Sequence, residues 1–481
     1  MNLAEYSQYD AMGLAELVRK REVTAKDLAL VALQGIQKVN PQLHAVIEVY
    51  PDVASTLEKE PLRPGPFAGV PFLRKDIGAT EAGRLQEAGS RLAKGLTAAR
   101  DSYLMSRFKQ AGLTCLGRSA TPEFALSSTT VSVMEGETHN PWHPDWMAGG
   151  SSGGAASAVA SGMVPLAHAS DGAGSIRIPA SCCGLVGLKP SRGRITAGPD
   201  VDESLFGMGV EFIVCRTVRD GAAMLDAVGG PATGDPFVIP QPSRPYLQEV
   251  GAPPGKLRIG FSADAWEPFP VDGEVVRVAT EVAQACERMG HEIVPKTPRY
   301  DFESYVQALG DTWGVATMLD VDQVAQITGR KVNLETLEPA TLALYEQGKR
   351  VSIPGLFAAL GVLNTIRRHF GQLFQDIDLL LTPTLSMVPQ PIRKYSQSQS
   401  YPDGTSFMRS MEDIGHYMAV FNITGHPAIT LPLGQSGVGA PIGVQFVGHF
   451  GEEAGLFRIA RAFEEAMPWR DRRPPIHVSR G

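Results

Sequence analysis

The sequence predicts a mixed α/β fold, and three observations carry that expectation. Short apolar runs ending in polar residues recur from Phe67 to Phe450, and stretches with apolar side chains at helical spacing separate them. The length, 481 residues, allows two domains or one large domain with insertions.

In chain order, the first element is a helical hairpin, residues 14–19 and 25–39, with Thr24 and Asp27 forming an N-cap signature for its second helix. FAGVPFLRK (67–75) and GLTCLGR (112–118) read as strands, and the segment between them, with Leu104, Met105 and Phe108, reads as helix. SSGGAASAVASGMVPLA, from Ser151, reads as a buried helix whose small side chains let other backbones approach. Residues 229–256 are rich in Pro and Gly and predict a long connection. KLRIGFS then restarts a strand, residues 273–289 a helix, and residues 300–375 are helical in pattern without a chemical motif. DLLLTPT (378–384), AITLPLG (428–434) and GVQFVGHF (443–450) are strand-like, and residues 452–466 close the chain as a helix.

Composition removes several function classes. Hydrophobic residues make up 43% and charged residues 20%, the balance of a soluble globular protein. A net charge of −7 without a lysine and arginine stripe excludes nucleic acid as the expected partner. Five cysteines, Cys115, Cys182, Cys183, Cys215 and Cys286, form no CxxC pair, so neither a disulfide framework nor a zinc knuckle is expected. MNLAEYSQYDAMG lacks the features of a signal peptide and no run approaches the roughly 20 apolar residues of a membrane span. A cytoplasmic protein without a membrane partner is the expectation.

Two glycine-rich stretches hold the chemistry. GGSSGG (149–154) admits three readings: a flexible loop, a phosphate loop, and the G-x-S-x-G nucleophile elbow. The phosphate loop fails because Ala155 and Ala156 stand where Lys and Ser/Thr would follow. The elbow needs a strand before it, and the preceding THNPWHPDWMA is poor strand material. In DGAGSIRIP (171–179), small residues 172–174 let successive N–H groups converge beside Ser175, which is how an oxyanion hole is built. A serine hydroxyl needs a base. No motif nominates any of His139, His143, His168 or His426, and Pro141 keeps His139 and His143 off a shared helix face. Lys75, after the apolar run VPFLR, can serve if burial lowers its pKa.

Lys75 in GVPFLRKDIGA, Ser151 in GGSSGGAASAVASG and Ser175 in DGAGSIRIPASCCGLVGLKPSRGR together resemble the amidase signature family of serine hydrolases. The resemblance runs from the N-terminal hairpin to the closing helix, so it implies a single domain over residues 1–481, with 257–415 as a variable region shaping the pocket. It implies a mixed, mostly parallel sheet covered by helices, and no metal or organic cofactor. It implies a Ser-cisSer-Lys triad of Ser175, Ser151 and Lys75, with a cis peptide between Gly150 and Ser151. Backbone N–H groups of Gly172, Ala173, Gly174 and Ser175 would form the oxyanion hole. Ser152 and Asp171 would hydrogen-bond within the relay, Arg177 would anchor the loop, and Ala125 and Ser127 would line the substrate pocket.

Two departures from the family pattern stand out. Ala173 replaces the first glycine of the usual GGS, which questions any left-handed conformation there, and Ala120 replaces a common asparagine. Cys182, Cys183, Trp142 and Trp146 read as packing residues, while Trp313, Tyr345 and Tyr417 are left open between ligand and core.

The activity implied is hydrolysis of a carboxylic amide, whether cyclic amide, aryl amide or carbamate, through an acyl-enzyme on Ser175, with a subgroup likeness to cyclic-dimer hydrolases. The partner implied is a small-molecule amide or carbamate, and a homodimer is one open state of association. Two other readings are a glutamine amidotransferase A-type subunit and a non-catalytic binding protein on the same fold.

Overall fold

The computed structural model describes residues 1–59, 61–236 and 238–480. Phe237, within the expected connection 229–256, lies outside them, as do Glu60 and Gly481.

The N-terminal hairpin forms as helices Ala11–Arg19 and Ala25–Leu43. Thr24 and Asp27 close a reciprocal capping box, which satisfies N–H groups that a helix start leaves unpaired. The second helix runs past Val39 through Pro41, buries Leu43 and stops at His44 in the left-handed region. That extra turn places Ala45 and Val46 at the start of the sheet.

Eleven strands make one sheet. In chain order they are β1 (Val46–Val49), β2 (Pro71–Lys75), β3 (Thr114–Ser119), β4 (Leu166–Asp171), β5 (Val186–Lys189), β6 (Val210–Cys215), β7 (Arg258–Phe261), β8 (Glu292–Pro295), β9 (Leu379–Pro383), β10 (Ala428–Gln435) and β11 (Pro441–Gly448). Across the sheet the order is β1-β3-β2-β4-β6-β5-β10-β11-β9-β7-β8. The sheet is mixed, as expected. Parallel pairing occurs in two blocks, β3-β2-β4 and β9-β7-β8, and antiparallel pairs join the blocks and add β1. The parallel share is thus smaller than expected, because hairpin-like neighbours such as β10 and β11 fill the middle. Helices cover both faces, and β2, β5, β9 and β11 are buried along their whole length.

The parallel block sets the site. β2 pairs with β4 at Phe72 with Leu166 and Leu73 with Ala167, so both strands end together and deliver Lys75 and Asp171 to one edge of the core. Ligands in open α/β sheets gather at such carboxyl ends.

The small-residue run after Ser151 forms the helix Gly153–Ala160, with every residue buried. A Cβ on Gly154 would come within 2.4 Å of the Ala120 nitrogen and 2.7 Å of the Ala45 oxygen, so only glycine fits there. Residues 300–375 supply three helices, Phe302–Thr328, Pro339–Arg350 and Ile353–Leu373. Among its described residues the connection 229–256 is irregular apart from the short helix Tyr246–Glu249.

One local expectation fails. The segment thought too polar and Pro-rich for strand contains a two-stranded ribbon, His139–Asn140 against His143–Met147. Distant chain holds it: the Met147 N–H donates to the Gln390 carbonyl (2.8 Å) and the Ile392 N–H to the Asp145 carbonyl (3.0 Å). Tertiary pairing overrides weak local propensity here. Among the described residues no helix is long and apolar enough to cross a membrane.

Candidate active site

Lys75, the last residue of β2, is fully buried. Its Nζ lies 2.7 Å from Ser151 Oγ, 2.9 Å from Ser170 Oγ and 3.0 Å from Ser152 Oγ. Burial pushes its pKa down to about 7, against the pull of Glu211 and Asp171. An ammonium can donate to all three hydroxyls, but a neutral amine has two N–H bonds and a lone pair. One hydroxyl must then donate to it. The Ser152 hydroxyl already donates to the Ser170 carbonyl (3.3 Å), which leaves Ser151 and Ser170. Ser151 is the nearer.

GGSSGG is no flexible loop. Residues 147–160 are buried without exception, and Gly149 is left-handed (φ 79°) with Pro179 against it. A Cβ on Gly150 would sit 2.4 Å from the Ser127 oxygen. Thr130 clamps the stretch: its Oγ1 donates to the Gly149 carbonyl (2.9 Å) and accepts from the Gly153 N–H (3.0 Å). The peptide between Gly150 and Ser151 is cis. A strand does precede the stretch, the His143–Met147 ribbon, so the context argument against an elbow does not hold. Here, however, the Ser151 hydroxyl meets a lysine and not a histidine.

Ser175 is half-buried, between the end of β4 and the helix Arg177–Cys183. No hydrogen bond joins its hydroxyl to Ser151 among the described residues. The loop around it is tied by Asp171, which accepts from the N–H groups of Gly174 (2.6 Å), Ile176 (3.2 Å) and Arg177 (3.4 Å) and from the Arg177 guanidinium, Nε at 2.9 Å. Arg177 holds its carboxyl well below the usual range. Arg177 anchors the loop more widely as well, reaching Asn422 Oδ1 (2.6 Å), Gln445 Oε1 (2.8 Å) and the Met418 carbonyl (3.2 Å).

Two expected roles change. Among the described residues Asp171 accepts no hydrogen bond from Lys75 or Ser151; its oxygens are taken by the loop, Arg177 and the Asn422 amide, so it shapes the loop. The Gly174 N–H, engaged by Asp171, is not free to stabilise an oxyanion. The N–H groups of Gly172, Ala173 and Ser175 have no internal partner among the described residues and remain as donors. The left-handed turn falls on Gly174 (φ 118°) and not on Ala173, so alanine is accommodated at 173.

A cavity opens beside Ser175, and Ala125, Ser127, Ala173, Ile178, Trp313, Met408, Met411 and Glu412 line it. Ala125 and Ser127, expected at the substrate pocket, border this cavity, with the Ser127 hydroxyl donating to the Tyr395 carbonyl (2.6 Å). Trp313 faces the cavity. Tyr417 packs against Trp266 and Tyr345 bonds to Asp322 (2.8 Å). Trp142 anchors the Cys183 carbonyl through its indole N–H (2.9 Å), Trp146 stacks on His143, and the five cysteines are free.

Of the histidines, His168 hydrogen-bonds to the Lys75 backbone. Its Nδ1 accepts from the Lys75 backbone N–H (3.2 Å), while Nε2 lies 3.3 Å from Glu211 Oε2, within ion-pair range but without hydrogen-bond alignment. His426 stacks on Phe374. Sequence reading missed Ser170, Thr130, Asn422 and Gln445. Ser170 alone carried a local signal, since alternation along β4 from His168 puts it on the face of Lys75.

Among known proteins, the family model described as Amidase matches residues 27–457. The 6-aminohexanoate-cyclic-dimer hydrolase of Paenarthrobacter ureafaciens is 35% identical over 97% of this chain and 96% of its own length. The acylamidase of Rhodococcus erythropolis is 30% identical, covering 96% of each chain. The solved structure of a 6-aminohexanoate cyclic dimer hydrolase complexed with substrate matches with a TM-score of 0.92 at 33% identity, covering 98% of this chain and 99% of that one.

Proposed function

The chain belongs to the amidase family and is a hydrolase of amide bonds, and from that premise we propose that it works through an acyl-enzyme on Ser175 with Ser151 and Lys75 as the proton relay. One observation carries the reading: a fully buried lysine with a pKa near 7 points its amine at the Ser151 hydroxyl, 2.7 Å away, with no carboxylate bound to it.

In the reaction, neutral Lys75 takes the proton of Ser151 Oγ as Ser151 takes that of Ser175, and Ser175 Oγ bonds to the carbonyl carbon. Free N–H groups at Gly172, Ala173 and Ser175 receive the oxyanion that forms. The relay then runs backward, the amine nitrogen gains the proton and the C–N bond breaks. Water attacks the ester by the same path, its proton passing to the relay and from there to Ser175, which releases the acid. For the first transfer Ser175 must turn toward Ser151, a rotation its half-exposed side chain allows. The relay needs no cofactor, and the small-molecule substrates that fit it are carboxylic amides, cyclic, aryl or carbamate.

The test is covalent labelling and turnover. Incubation with a serine-directed phosphonate and peptide mapping should place the label on Ser175, and Ser175→Ala should neither label nor turn over an anilide. Labelling of the alanine variant would refute the assignment.

A further inference from the structure

The cavity beside Ser175 is lined by apolar side chains, by Ser127 and Ser128, and by one carboxyl group. Along the helix Gly404–Gly415, residues Met408, Met411 and Glu412 face it, so a carboxyl group interrupts a methionine stripe. Glu412 is buried close to the buried carboxyl of Glu267; burial pushes both carboxyls up, and the charge of Glu412 pushes Glu267 further. Two buried carboxyl groups this close do not both ionise readily, so the pair holds one negative charge when singly protonated. Tyrosine hydroxyls solvate that charge: Tyr305 donates to Glu412 Oε2 (3.0 Å) and Tyr300 to Glu267 Oε1 (2.6 Å). The other charged group acting on Glu412 is Asp413, an acid, and no cation of the described residues is paired with either glutamate.

A second, independent feature faces the same cavity. Trp313 is 6% exposed, lines the cavity, and its indole N–H has no hydrogen-bond partner. Its ring edge lies over the serine loop, since a Cβ on Gly172 would come 3.1 Å from Trp313 Cη2. A buried donor without a partner is costly, and a ligand carbonyl would satisfy it.

We propose that Trp313 and the Glu412–Glu267 pair form a binding site for amides whose chain carries a protonated amino group, the ammonium meeting Glu412 and the indole N–H meeting a ligand carbonyl. The proposal deepens the reading of Ser175 as nucleophile and rests on it only for which bond is cleaved. The side chains of Ala173, Ile178, Met408 and Met411 in the same cavity suit an alkyl spacer.

Binding separates the two claims. Calorimetry on the full-length Ser175→Ala protein with 5-aminopentanamide, and with hexanamide, which carries a methyl in place of the ammonium, reads recognition without turnover. The ammonium compound should bind at least tenfold more tightly. Equal binding, or a preference for hexanamide, overturns the proposal. Glu412→Gln in the same background, a change that keeps size and shape, should erase the ratio, and an unchanged ratio overturns the role of Glu412. Trp313→Phe should weaken both compounds by a similar factor of several-fold while preserving the ratio, and no change in either overturns the indole contact. If Ser175→Ala itself still hydrolyses anilides, the nucleophile assignment falls while the binding ratio stands or falls separately.

Discussion

Two buried lysines, Lys75 and Lys189, end two strands of the same sheet, and burial lowers both to a pKa of about 7. Their partners differ. Lys75 faces three serine hydroxyls beside the loop that holds Ser175, whereas Lys189 donates to the Pro190 carbonyl (2.9 Å) and has Arg177, Asp171, Arg192 and Glu453 as charged neighbours. A carbonyl has no proton to give. Desolvation makes an amine a weak enough base to stay neutral, but only a hydroxyl in reach lets that amine take part in a relay.

Substitutions can break this comparison. Lys75→Met should lower kcat by about 10⁴-fold or more, because members of a catalytic unit fail together. Lys189→Met should leave kcat within about threefold, since no reacting proton passes through it. A loss at Lys189 as large as at Lys75, measured by steady-state anilide turnover, would show that the distinction by partner is wrong.

Next in size is the pH profile. A base is inactive when protonated, so kcat/KM should fall about tenfold per unit below a limb near pH 7 and level off above it. The limb should persist in Lys189→Met. A profile flat from pH 5 to 9 would remove Lys75 as the titrating base.

Ser170→Ala should cost no more than about tenfold in kcat, because Ser151 is the nearer donor to the amine. A loss matching that of Ser151→Ala would make Ser170 the proton donor instead.

The smallest effect is in stability. Unfolded lysine keeps its proton up to about 10.5, while both folded lysines are neutral above about 7, so the unfolded state binds more protons across that window and stability rises with pH. Each lysine contributes at most about 1.4 kcal/mol per pH unit to that slope. The double methionine variant should show a flatter dependence in urea unfolding at pH 7 to 9, and an unchanged slope would mean that neither lysine is deprotonated on folding.

Much of the fold was legible because its elements are locally encoded. Apolar runs such as DLLLTPT are buried on both faces and appear as β9, and Thr24 with Asp27 marks a helix start through bonds three residues apart. The ribbon at His143–Met147 was not legible, because its partners lie near residue 390 and no local pattern reports them. At the site, glycine and serine spacing nominated Ser151 and Ser175. Nothing in that spacing revealed that Asp171 consumes the Gly174 N–H, which follows from the turn made at Gly174 itself.

By itself the sequence determined which residue types stand where chemistry needs them: a lysine after an apolar strand, a packed glycine and serine stretch, and a serine beside small residues with convergent N–H groups. The tertiary structure decided which of these come together. Parallel pairing of β2 with β4 brings Lys75 and Ser170 to one edge, and the buried helix at Gly153 holds Ser151 against the amine. Proton transfer works over hydrogen-bond distances, and distances between residues about a hundred positions apart exist only once the chain has folded.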